Sequence, residues 1–72
     1  MLYQLEFYLE DMDEDFFYYT VASCYPKVGE HVMILTKGEG YTEYLVKKVE
    51  YWFSEKDMQS EVMPMVIWVK KC

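Results

Sequence analysis

Apolar and polar residues alternate with a period of two along almost the whole chain, and no stretch carries apolar residues at the spacing of an amphipathic helix. In the first run Tyr3, Leu5, Phe7 and Leu9 share one face while Gln4, Glu6 and Tyr8 take the other, the pattern of a half-buried strand. Glu10-Asp11-Met12-Asp13-Glu14-Asp15 then interrupts the alternation. Burying so many carboxylates carries a severe desolvation cost, so this run predicts a loop or hairpin tip. Phe16-Phe17-Tyr18-Tyr19-Thr20-Val21-Ala22-Ser23 is dense in aromatic and β-branched side chains and predicts a second strand. Its bulky groups on both faces imply that something beyond the domain's own core covers the second face.

The next run, Tyr25-Pro26-Lys27-Val28-Gly29-Glu30, combines a rigid proline with a permissive glycine and predicts a turn that launches a third strand. In that strand Val32 and Ile34 alternate with His31, Met33 and Leu35. Lys37-Gly38-Glu39-Gly40 predicts a hairpin turn. The fourth strand runs from Tyr41 to Phe53 and keeps one phase as far as Val46. After Lys47-Lys48 the apolar residues Val49, Tyr51 and Phe53 resume on the opposite parity, as a β-bulge or sharp bend requires. Ser54 to Glu61 is polar enough for a loop, and Met63 to Lys71 predicts a fifth strand with Met65, Ile67 and Val69 opposite Val66 and Trp68. Pro64 lacks the donor that a central strand needs, which places it at the start or the edge of that strand.

Five short strands in 72 residues make one domain, residues 1–72. The expected fold is all-β, a small five-stranded barrel or a strongly curved antiparallel sheet. The elements Pro26-x-Val28-Gly29-Glu30-x-Val32, Tyr44-x-Val46-x-x-Val49 and Val66-x-Trp68-Val69 resemble the five-stranded SH3-like barrels, over most of residues 25 to 71. The layout is similar to that of many very small proteins encoded by bacteriophages and mobile elements. Residues 1–24 lie outside this resemblance.

Composition sharpens the picture in two ways. A domain this small buries only about 60% of the surface its unfolded chain exposes, so its core must be rich in large apolar groups. Aromatic residues make up 19% of the chain, which meets that need and argues against disorder. The supply exceeds the demand, however. Tyr8, Phe17, Tyr19, Tyr41, Tyr44, Tyr51, Trp52 and Trp68 cannot all fit among the roughly dozen inward side chains of a small barrel, so some must be exposed or lie in an interface. Charge is uneven too: residues 1–36 hold seven acids against Lys27 alone, whereas residues 37–72 hold six acids and six lysines. The whole net charge of −6 therefore belongs to the first half, and the chain has no Arg and no Asn. Direct binding of DNA or RNA is disfavoured, and a basic protein surface is the natural complement. No apolar run reaches the length of a membrane span and no signal-like leader follows Met1, so a cytoplasmic protein is expected, in the host cell if phage-encoded.

Candidate chemistry is sparse. Cys24, Cys72 and His31 are too few soft ligands for a structural zinc site, and two reduced thiols are the plainer expectation. Asp11-x-Asp13-x-Asp15 has the opening spacing of a calcium loop, but Phe16 stands where the turn glycine belongs and Ala22 where the closing glutamate belongs. That leaves a solvated acidic tip or a docking surface. His31 has no nucleophile or carboxylate motif to orient it, and Gly38 and Gly40 lack the helix and lysine of a phosphate loop. Lys47 and Lys48 fit a solvated strand edge. No enzyme, no cofactor and no metal are expected. The expected function is a non-enzymatic acidic protein-binding module, a phage-encoded inhibitor of a host defence protein in the manner of anti-CRISPR and DNA-mimic proteins. Its contact residues would be Glu10, Asp11, Asp13, Glu14, Asp15, Phe17 and Tyr19, aimed at a basic, nucleic-acid-binding surface. Two alternatives remain: an oligomer that sequesters a nucleotide signal between aromatic rings, and a structural module of a larger assembly. A homodimer through the second strand or through an exposed edge of the fifth would also cover surplus rings.

Overall fold

A computed structural model describes residues 2–10, 17–36, 38–53 and 62–72, and among these every regular element is a strand. The strands are β1 (Leu2–Leu9), β2 (Tyr18–Ala22), β3 (His31–Thr36), β4 (Gly40–Tyr51) and β5 (Val62–Lys71). They form one sheet in the order β2-β1-β5-β4-β3, strongly curled into a half-barrel.

Strand β5 is central, and this alters two expectations. It pairs antiparallel with β4 but parallel with β1, so the sheet is mixed where a wholly antiparallel one was anticipated. It also has no free edge, so pairing between copies along β5 is excluded, and among the described strands the outer ones are β2 and β3. A central strand covered on both sides is read as a near-continuous apolar run, and Met65, Val66 and Ile67 are buried in succession. Pro64 nevertheless sits near the start of the strand, as its chemistry demands. Its carbonyl accepts a hydrogen bond from the Trp52 N–H at 3.2 Å. The reciprocal bond would need a donor that proline lacks, and the regular β4–β5 register ends one pair earlier, at Tyr51 opposite Met65.

The concave face holds the core. Leu5 lies opposite Met65 and Phe7 opposite Ile67 across the parallel pair, so the inward residues of the two strands align, and Val46 faces Val69 on the other side. Together with Ile34 and Tyr44 they form a single buried cluster. Slipping β1 by one residue against β5 would carry Leu5 and Phe7 to the solvent side, and this fixes the register. Phe17 packs against this cluster, its ring centroid 5.2 Å from that of Tyr44.

The bulge falls where the phase of the sequence changes. The β4–β5 register shifts between Val46 and Lys48, after which Val49 and Tyr51 face inward opposite Ile67 and Met65. The turn before β3 supports the bend. Gly29 adopts φ 92°, the Glu30 N–H reaches the Lys27 carbonyl at 3.0 Å, and the Glu30 carboxylate caps the Lys27 N–H at 2.6 Å. A positive φ at the third position of such a turn is open to glycine and costly for other residues. The Gly29 N–H then donates to the Val46 carbonyl at 3.0 Å, and the Val46 N–H to the Glu30 carbonyl at 2.9 Å, so the turn is stitched to the strand at the bulge.

Candidate interaction surface

Strand β2 is short and, among the described residues, pairs with β1 alone. Because Tyr19 stands opposite Glu6 and Val21 opposite Gln4, these two side chains lie on the convex face, and both are exposed. Tyr18 stands opposite Phe7 on the concave side, with ring centroids 5.8 Å apart, yet it too is exposed. The side of this strand away from β1 is therefore flanked by apolar groups above and below, which suits pairing with an added strand.

The described residues on either side of the acidic run, Glu10 and Phe17, are both bonded to the sheet. The Glu10 N–H donates to the Val69 carbonyl and the Phe17 N–H to the Phe7 carbonyl, each at 2.9 Å. Both bonds lie at the same end of the β1–β5 pair. Of the residues expected to make contact, Glu10 is exposed at this end and Tyr19 is exposed on β2. Phe17 turns inward as a packing residue instead. Asp11, Asp13, Glu14 and Asp15, and with them the suggested calcium spacing, lie outside the described residues.

Two further groups on the surface were not assembled from the sequence. At the end of the half-barrel where β1 and β5 begin, Tyr25 packs edge-on against Tyr3 and Tyr51, with centroids 4.9 and 5.6 Å away and interplanar angles of 71° and 89°. Phe53 continues the group parallel to Tyr51, at 6.2 Å and 12°. The Tyr51 hydroxyl donates to that of Tyr25, and this bond holds the Tyr51 phenol above its ordinary acidity range. Trp68 lies on the convex face 5.0 Å from the ring of Tyr8 and donates its indole N–H to Glu50.

The second group is His31, Glu43 and Cys72, one residue from each of three neighbouring strands or strand ends. His31 pairs with Leu45 and Met33 with Glu43, which sets the His31 and Glu43 side chains diagonally on one face. Cys72 follows β5 and donates its backbone N–H to the Glu43 carbonyl at 3.0 Å. The Glu43 carboxylate lies 2.7 Å from His31 Nδ1, and the Cys72 sulfur 3.8 Å from the same nitrogen. A nucleophile–base–carboxylate relay needs its outer members on opposite ring nitrogens, so this is not one. Counting cysteines and histidines overlooked Glu43, because the signal that joins the three is strand register, not spacing.

Comparison of the chain with protein-family models, with curated proteins and with solved structures gives no match.

Proposed function

We propose that the chain is a non-enzymatic binding module that lays the edge of β2 and the adjoining acidic segment against a basic, nucleic-acid-binding surface of a larger protein, as a phage-encoded inhibitor of a host protein would. The supporting observation is the exposure of Tyr18, Tyr19 and Val21 on an outer strand that begins three positions after Asp15, the last residue of the acidic run. Rings and aliphatic groups supply buried area at such a contact, while carboxylates set the approach and the register. A partner that normally holds phosphates presents the matching cations. Partners retained from lysate at low salt are expected to be released by added salt and by duplex DNA. A chain with Glu10, Asp11, Asp13, Glu14 and Asp15 changed to amides is expected to retain none. Binding indifferent to salt and to those changes removes the electrostatic basis of the proposal.

The ring group of Tyr3, Tyr25, Tyr51 and Phe53 favours a second reading, a platform for a planar ligand such as a nucleobase. Lys70 and Lys71 pair with Leu45 and Tyr44, far along β5 from Tyr51 opposite Met65. A phosphate bound near these rings would therefore need cations other than these two, and in this reading a second copy supplies them at a subunit interface. Sedimentation separates the readings, because the second requires an oligomer.

A further inference from the structure

We propose that His31, Glu43 and Cys72 bind a borderline divalent transition-metal ion, with zinc the best match. The three donor atoms, an imidazole nitrogen, a carboxylate oxygen and a sulfur, all lie within 4.8 Å of one another on one face of the sheet. Both partners approach His31 at the same atom, Nδ1. Such convergence leaves a shared point between them, which an ion reaches from all three once the thiolate and the carboxylate, as much as 4.8 Å apart, draw together by about an ångström.

The distances can be set against metal geometry. Bonds of about 2.3 Å to sulfur and about 2.0–2.2 Å to nitrogen and oxygen imply tetrahedral edges of roughly 3.3–3.6 Å. The sulfur–nitrogen separation of 3.8 Å is already close to that edge. The nitrogen–oxygen separation of 2.7 Å is a hydrogen bond and must open by somewhat more than half an ångström. His31 and Glu43 are each about half exposed, so both side chains are free to rotate by that amount. Cys72 is fixed more firmly through its backbone bond to Glu43.

The donor set also selects the ion. Calcium and magnesium prefer oxygen ligands throughout, whereas thiolate with imidazole suits zinc and its neighbours. One thiolate and one carboxylate supply two negative charges, which balance a divalent cation. Three protein donors leave the fourth position to water. Binding replaces the thiol proton and needs Nδ1 of His31 free of its own proton, so affinity rises with pH. The ion would tie the starting residue of β3, the first half of β4 and the residue that follows β5 into one unit.

Cobalt, which gives a sulfur-to-metal absorption band, is the probe. Titrating the reduced chain is expected to produce that band, to saturate at one ion per chain, and to lose it when zinc is added. Cys72→Ser is expected to abolish the band, and His31→Ala and Glu43→Gln to weaken binding by about tenfold or more. Cys24→Ser is expected to leave it intact. All three ligands are exposed, so these variants should keep the far-ultraviolet dichroism of the parent, which confirms that they are folded. Zinc is further expected to raise the melting temperature of the parent and not of Cys72→Ser. A band that survives Cys72→Ser, that requires Cys24, or that is unchanged in both His31→Ala and Glu43→Gln overturns the proposal.

Discussion

Ile67 is the sharpest place to test the concave core. It is fully buried on the central strand, opposite Phe7 on one side and Val49 on the other. Ile67→Val removes one methylene, worth about 1 kcal/mol, and Ile67→Ala removes three, about 2.4 kcal/mol of transfer free energy. Neighbours held in a sheet on both sides cannot collapse into the space, so a cavity term should bring the alanine variant to about 3–4 kcal/mol. Domains of this size hold only about 4–11 kcal/mol in total. The alanine variant would therefore sit near the edge of folding, and the valine variant gives the measurable intermediate step. Urea denaturation followed by tryptophan fluorescence supplies both values. Each kcal/mol should appear as a fall of roughly 4–8 °C in melting temperature. The control is Leu35→Ala, on the exposed face of edge strand β3, which should change stability by less than about 0.5 kcal/mol. Equal losses at positions 67 and 35, or no loss at 67, would refute the assignment of the concave face as the core.

Other perturbations test separate features. Gly29→Ala should destabilise by about 1–2 kcal/mol through backbone strain alone, because φ is 92° and no heavy atom lies within 4 Å of the added carbon, and thermal denaturation measures the loss. Trp68→Phe removes the indole donor to Glu50 and should cost about 1–2 kcal/mol by urea titration, whereas the same change at the exposed Trp52 should cost far less. In alkali, Tyr51 contributes stability that is complete below its ordinary value of 10.0 and disappears as pH climbs through its raised folded-state value. Tyr51→Phe should lack that alkaline loss when denaturation midpoints are compared across pH.

The faces of the strands were legible because alternation reports which side meets the core. Leu5 and Phe7, Tyr44 and Val46, and Met65, Ile67 and Val69 are all buried on the side that the period of two assigns them. The Lys47-Lys48 interruption marked the bulge because an inserted residue must reverse the parity that follows. Neighbours and direction were not legible in the same way. The apolar run Met65-Val66-Ile67 carried the signal of a two-sided, central strand, but Pro64 drew attention to a start or an edge. Phe17 and Tyr19 share a parity and an aromatic character, yet only Tyr19 stays outside, because Phe17 precedes β2 and is turned in by its bond to Phe7. His31, Glu43 and Cys72 are separated by 12 and 29 positions, and nothing short of the register of three strands could unite them.

The parallel pairing of β1 with β5 has a kinetic consequence. Leu2 is matched with Val62, 60 positions away, so the largest loop in the described chain must close before the middle of the sheet exists. Until β5 arrives, the β1–β2 hairpin and the β3–β4 hairpin have almost nothing to share, since Met65, Ile67 and Val69 connect their apolar faces. Folding should therefore be slow for so short a polypeptide and concerted, with neither hairpin persisting as a stable fragment.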